Sequence, residues 1–201
     1  FDGQKIFKAS TRYDWYLLEN KQKYKNTIIK DESGKMNNIN LDNWVFLPNK
    51  LYNTIKKILS EGEDETNRCQ VFRYRSTYKT ENKTLVKKEK SEEYKYPLAY
   101  SINAKNEINK RYTNDNMLGH FGKSKFIFSN GKGFYCDKLG EYGLTEWAFC
   151  IYDEPDNLDK ILKTFTSDKF NEIKEAIQLA SFTYNWKVMK LFRKDFYNMF
   201  I

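Results

Sequence analysis

Histidine is all but missing from this chain of 201 residues: His120 is the only one. Proline (3), cysteine (3) and glycine (9) are scarce too. A single histidine cannot supply a His-based metal triad, and as a lone base it has no Ser or Cys nucleophile motif beside it. Its ordinary use is as a hydrogen-bonding residue. So few prolines and glycines exclude collagen-like and low-complexity classes. Cys69, Cys136 and Cys150 are odd in number and widely spaced, with no CxxC, so neither a disulfide framework nor a zinc site is indicated. They are expected to be reduced, mostly buried thiols of a cytoplasmic protein. The longest uncharged stretch, Ala176 to Trp186, contains Gln178, Ser181, Thr183 and Asn185. A membrane span needs about 20 mostly apolar residues. The first residues, FDGQKIFK, contain no apolar core of a signal peptide. Neither GxGxxG nor GxxxxGK[ST] occurs, so no Gly-rich phosphate cradle is present.

What remains is aromatic and basic. Phe, Tyr and Trp make up 17% of the residues, and Lys and Arg (35) exceed Asp and Glu (27) for a net charge of +8. The aromatics exclude a disordered chain and suffice for a core at this length. The positive charge is spread through the chain and interleaved with rings, which favours a folded basic surface over a polybasic tail. Nucleic acid is one partner such a surface fits. The blander alternative is lysine that merely solvates the surface.

Residues 5–18 suggest a strand leading into a short helix or second strand. KNTIIKDESGKMNNINL reads as a hairpin, because Ser33-Gly34 and Asn37-Asn38 favour tight turns. Leu51, Ile55, Ile58 and Leu59 recur with helical spacing, with Lys56 and Lys57 on the opposite side. The acidic run EGEDETN marks a boundary, giving an N-terminal α+β subdomain (1–66) and a second subdomain (67–201). QVFRYRSTY alternates as a strand with unlike faces. The charged stretch Lys79 to Lys95 suggests a mobile hairpin or loop. YPLAYSIN is a strand that Pro97 should delay or confine to an edge. SNGKG reads as a hairpin turn. In EYGLTEWAFCIY, Gly140 and Gly143 permit a tight turn, and Trp147, Phe149 and Ile151 should point into the core. Three apolar stripes follow at helical spacing: Leu158, Ile161, Leu162 and Phe165; Phe170, Ile173, Ile177 and Ala180; Trp186, Met189, Phe192, Phe196 and Met199. Asp156 or Asn157 is placed to cap the first of these helices. KLFRKDF should be mostly core helix, leaving Lys190, Arg193 and Lys194 available to phosphates. The expected class is α+β: mixed and antiparallel strands and hairpins, with a C-terminal set of packed helices.

The candidate site is a set of basic, amide and aromatic side chains: Arg73, Tyr74, Arg75, Lys79, Lys105, Arg111, Tyr112, His120, Lys123, Lys125, Asn130 and Lys132. Arg reads guanine through a bidentate fork and Asn reads adenine, whereas Lys and Tyr hold phosphates and set register. A different class, a small Mg²⁺-dependent endonuclease, would need two or three acids and a lysine around the metal. Glu92, Glu93 and Lys95, or Asp153, Glu154 and Asp156, are the available pieces. The second group also suits an ordinary helix N-terminus.

The stretches EEYKYPLAYSIN, HFGKSKFIFSNG, DKLGEYGLTEWAFCIYD and KLFRKDFYNMF, with TRYDWYLL and NTIIKDESGKMNNINLDNWVFLPN upstream, resemble one family. It is the C-terminal target-recognition region of adenine-specific DNA methyltransferases from type II and type IIG restriction-modification systems. The resemblance covers most of the chain. Those enzymes use a Gly-rich S-adenosylmethionine loop and an Asn/Asp-Pro-Pro-Tyr/Phe motif. Here Pro48, Pro97 and Pro155 stand alone, so the methyl-transfer residues do not carry over. The resemblance implies a double-stranded-DNA-binding specificity domain with no catalytic residues, metal or cofactor of its own. Its partner would be a methyltransferase domain of the same polypeptide that holds S-adenosylmethionine, with a fused nuclease as an option. A chain beginning with Phe1, its first methionine at Met36, is expected to be part of something longer.

Overall fold

A computed structural model describes residues 8, 17, 26–62, 64–73, 78–118, 120–130, 133–178 and 185–201. The strand and helix expected over 5–18 thus fall almost wholly outside the described residues. Strands β1 (Thr27–Lys30) and β2 (Met36–Ile39) form the anticipated antiparallel hairpin. Asp31 builds its turn: one carboxylate oxygen accepts from the Ser33 and Lys35 amides at 3.0 Å each. Helix α1 (Tyr52–Ile58) buries Tyr52, Ile55 and Ile58 and leaves Lys56 and Lys57 in solvent, as the spacing requires.

Eight further strands make two four-stranded sheets. The first has the order β3 (Val71–Phe72), β10 (Ala148–Tyr152), β7 (Lys125–Ser129), β8 (Phe134–Asp137), antiparallel throughout. The second has the order β4 (Val86–Lys87), β6 (Ile108–Thr113), β5 (Tyr96–Ile102), β9 (Gly143–Leu144), with β9 parallel to β5. Helices α2 (Pro155–Thr166), α3 (Asp168–Ala176) and the short α4 (Trp186–Met189) follow. The class is α+β with a C-terminal helix cluster.

Strand β7 explains the layering. All five of its residues, KFIFS, are buried. A strand covered on both faces must serve two cores. Phe126 and Phe128 face the helices and pack on Phe165, with ring centroids 4.7 and 5.4 Å apart. That core also takes Ile55 and Ile58 of α1, Phe149 and Ile151 of β10, and Phe170, Ile173, Phe192 and Phe196. The opposite face puts Ile127 against Ala99, Ile102, Leu144, Ala148 and Cys150, between the two sheets. Gly133 belongs to this seam. A β-carbon there would lie 1.8 Å from the Asn103 carbonyl oxygen, so only glycine lets the sheets approach.

Several expectations are corrected. Segment 79–95 is not simply a loop: Val86 and Lys87 form β4 and pair with Thr113 and Tyr112. Pro97 lies in an interior strand, not an edge one. It is tolerated because β9 pairs only with Leu98 and Ala99, one residue further on. Trp147 is 49% exposed at the turn before β10, whereas Phe149 and Ile151 are buried as expected. KLFRKDF is not a helix. Residues 191–194 are taken instead by backbone bonds to α1's end and to residues 67–69, including Arg193 N–H to the Ile58 carbonyl and Cys69 N–H to the Phe192 carbonyl, each 2.8 Å. Helix α2 is capped at Glu154, with Pro155 at its first position. Asp153 accepts from the Glu154 amide (2.8 Å) and from the Asn157 side chain (2.9 Å). That is the helix-terminus role of this acidic group. Ala180 lies outside the described residues.

Candidate nucleic-acid interface

The antiparallel register of β5 and β6 breaks between Ala99 and Ser101. This bulge re-aims Tyr100, and the Arg111 guanidinium sits 4.2 Å from its ring centroid. The segment leading into β4 closes over this pair. Thr80 fixes it there: its amide (3.1 Å) and hydroxyl (2.7 Å) both donate to the Glu146 carboxylate. The result is a groove of about 330 Å³ lined by Thr80, Lys83, Val86, Lys87, Lys88, Tyr100 and Arg111. Among these described lining residues there are four cations and no carboxylate. Lys83 also donates to the Thr80 carbonyl (2.8 Å), and the Lys87 ammonium lies 5.3 Å from the Tyr94 ring centroid. A cationic groove with a ring at its wall can hold phosphate and present a planar guanidinium to a base edge.

The residues expected from sequence do not form one surface. Arg111 is in the groove. Lys79 stands beside Thr80, exposed and 3.6 Å from Glu81. Tyr112 is half-buried; by strand alternation it takes the face of β6 opposite Arg111. Lys105 and Asn130 are exposed at hairpin turns, Lys105 between β5 and β6 and Asn130 between β7 and β8. The Asn106 side chain accepts from the Phe134 amide at 2.9 Å, bringing those two turns to one end of the molecule. Arg73 is committed inwards: its guanidinium lies 4.9 Å from the Phe149 ring centroid, and its Nε donates to the Glu146 carbonyl at 3.3 Å. Tyr74, Arg75 and Lys132 lie outside the described residues.

Lys125 and His120 are corrections. Both are wholly buried. The Lys125 ammonium donates to an Asp137 carboxylate oxygen (2.7 Å) and to the carbonyls of His120 (2.7 Å) and Lys123 (3.0 Å). Its three protons are matched by three acceptors, so it has a structural role. Asp137 in turn accepts from the amides of Glu141 (2.8 Å) and Tyr142 (3.0 Å). One ion pair thus ties the 120–123 loop to the 137–142 turn, and Gly122 N–H donates to the Gly140 carbonyl at 2.9 Å. Burial pushes the Lys125 pKa down, against the pull of Asp137. His120 has φ +113°, shares a hydrogen bond with the Tyr152 hydroxyl, and has Cys150 Sγ 4.0 Å from its Nδ1. Burial, helped by the Lys125 and Lys123 charges, pushes its pKa down to about 4. Lys123 stays outside, its ammonium 5.4 Å from the Tyr152 ring centroid.

Comparison with protein-family models, with curated proteins and with solved structures finds no match to this chain. The functional reading therefore rests on the side chains themselves. The sequence reading missed Lys83, Lys87, Lys88 and Tyr100 as parts of a site. The run KKEK was visible, but only the β4–β6 pairing and the bulge bring it to Arg111.

Among the described residues no three His, Cys, Asp or Glu side chains gather as metal ligands, and no helix is long and apolar enough to cross a membrane. The three cysteines are free thiols. Burial raises all three, Cys150 to about 12 and Cys136 to about 11.

Proposed function

We propose that this chain is a sequence-specific double-stranded-DNA-binding module. In this reading it is the target-recognition domain of a restriction-modification adenine methyltransferase of the cytoplasm, and does no chemistry itself. Its partners are duplex DNA and a methyltransferase domain of the same polypeptide that holds S-adenosylmethionine. It docks the target so that the linked domain can flip out an adenine.

The observation that carries the reading is the Tyr100–Arg111 groove. Lys83, Lys87 and Lys88 supply charge for phosphates without selecting sequence. Arg111, stacked on Tyr100 and held by an Nη1–H bond to the Lys110 carbonyl (2.9 Å), would offer its other N–H groups to guanine. The hairpin ends bearing Lys105 and Asn130 offer further donors.

The test is selection from a randomised duplex pool with the purified chain, at low and moderate salt, in EDTA and separately in Mg²⁺. An enriched motif without cleavage is expected. Salt-sensitive binding without enrichment refutes sequence recognition by this chain alone, and cutting in Mg²⁺ replaces the reading with an endonuclease.

A further inference from the structure

A second basic groove lies away from the Tyr100–Arg111 pair. Four backbone bonds of 2.8 Å build its floor from three chain segments: Ser60 N–H to the Leu191 carbonyl, Arg193 N–H to Ile58, Cys69 N–H to Phe192 and Lys194 N–H to Asn67. These bonds satisfy the backbone; Ile58, Cys69 and Phe192 stay buried, and the Arg193 and Lys194 side chains are exposed. The groove has a volume of about 700 Å³, and its charged lining consists of Lys56, Lys57, Arg193, Lys194, Glu61 and Asp195.

The charges do not cancel. Arg193 is neutralised locally: its Nε and a terminal nitrogen each lie 3.1 Å from an Asp195 carboxylate oxygen. Lys56, Lys57 and Lys194 make no ion pair among the described residues. The dipole of α1 favours cations in its last turn, which accounts for Lys56 and Lys57. It does not account for Lys194, which reaches the same groove from the C-terminal segment. With Glu61 and Asp195 set against Lys56, Lys57, Arg193 and Lys194, the lining keeps a net charge of +2, which favours an anion.

The lining also fixes what kind of anion fits. Among the described lining residues there is no aromatic ring, so they offer no stacking surface for a base. Lysine is a point charge without the fork that reads base edges. The fitting ligand is a run of phosphodiester groups. We infer that Lys56, Lys57 and Lys194 form a sequence-independent clamp on the DNA backbone, separate from the groove that selects sequence. This rests on the DNA-binding reading above and adds a division of labour between two surfaces.

The experiment compares the wild-type chain with Lys56→Ala/Lys57→Ala/Lys194→Ala and with Arg111→Ala. Fluorescence anisotropy would follow binding to the selected duplex and to a scrambled one, between 50 and 200 mM salt. The three lysines are exposed, and a thermal melt confirms that the triple variant folds. Each phosphate contact contributes about 0.9 to the slope of log K against log salt. The triple variant should lose about 2–3 from that slope on both duplexes and keep the ratio of their affinities. Arg111→Ala should reduce the ratio. An unchanged slope in the triple variant overturns the clamp and leaves the DNA reading standing. If the wild type binds no duplex at any salt, the DNA reading and the clamp both fall.

Discussion

Replacing Lys125 with methionine keeps the aliphatic stem and removes the ammonium. Three acceptors then lose their donor: the Asp137 carboxylate and the carbonyls of His120 and Lys123. The pair is shielded from solvent, Lys125 and Asp137 being 0% and 1% exposed. Removing one partner of a buried pair costs about 3–5 kcal/mol, since the remaining charge is left uncompensated. A domain of ordinary stability has about 5–15 kcal/mol in total. With a urea slope of about 2 kcal/mol per molar, the denaturation midpoint should fall by about 1.5–2.5 M. Asp137→Asn in the Lys125→Met background removes the stranded charge. The Asn carbonyl oxygen can still accept from one of the two amides that Asp137 serves, so the double variant should be more stable than Lys125→Met alone. Urea denaturation of the wild type, Lys125→Met and the double variant, followed by Trp fluorescence, measures both quantities. A Lys125→Met midpoint within about 0.5 M of wild type, at unchanged slope, would show that the pair's desolvation cost cancels its attraction and would refute the stapling argument.

Other outcomes follow from the same geometry. His120 has its folded pKa depressed to about 4 from an unfolded 6.5, so the unfolded chain binds the extra proton between these values. Its contribution to stability is complete above pH 6.5 and is lost as pH falls, by about 2 kcal/mol between pH 7 and 5. His120→Gln should remove that part of the pH dependence in urea titrations, and an unchanged profile counts against it. Gly140 has φ +72°, and a β-carbon there would lie 2.3 Å from the Lys123 backbone nitrogen. Gly140→Ala should therefore cost more than the ~1 kcal/mol typical of a point substitution, seen as a lowered melting temperature. Arg73→Ala should lower stability by about 1 kcal/mol with little effect on sequence preference, because its guanidinium is spent on Phe149 and Glu146. Arg111→Ala should cost about 1–3 kcal/mol of discrimination at one base position in the selection assay.

The local elements were legible where the chain's own chemistry sets them. Ser33-Gly34 announced the turn of the first hairpin, whereas Asn37-Asn38, also expected in a turn, lies within β2; the stripes Leu158–Ile161–Phe165 and Phe170–Ile173 announced α2 and α3. The third stripe misled, because Met189, Phe192 and Phe196 keep helical spacing while long-range partners take the backbone of residues 191–194. The same holds for the site. Lys125 looked like a surface cation because composition does not reveal a partner twelve positions away. One signal was present, since Phe128 pairs with Phe134 and the same register sets Lys125 opposite Asp137. A hairpin turn centred on position 131 therefore predicts an opposed cation and carboxylate. The Tyr100–Arg111 stack had no comparable signal, because it depends on a bulge that the YPLAYSIN pattern does not encode.

The Lys125–Asp137 pair has a consequence for how such a surface can diversify. A single ammonium closes two loops at once, and a glycine-to-glycine backbone bond locks them together. Neither loop can lengthen or change its path without disturbing the other and both sheets behind them. Among the described residues the hairpin ends carrying Lys105 and Asn130 carry no such ion pair, and the Asn106 side chain ties one to the other through the Phe134 amide. Retargeting of this scaffold, by natural drift or by a designer, should concentrate at those ends, with the stapled loops kept as the fixed frame.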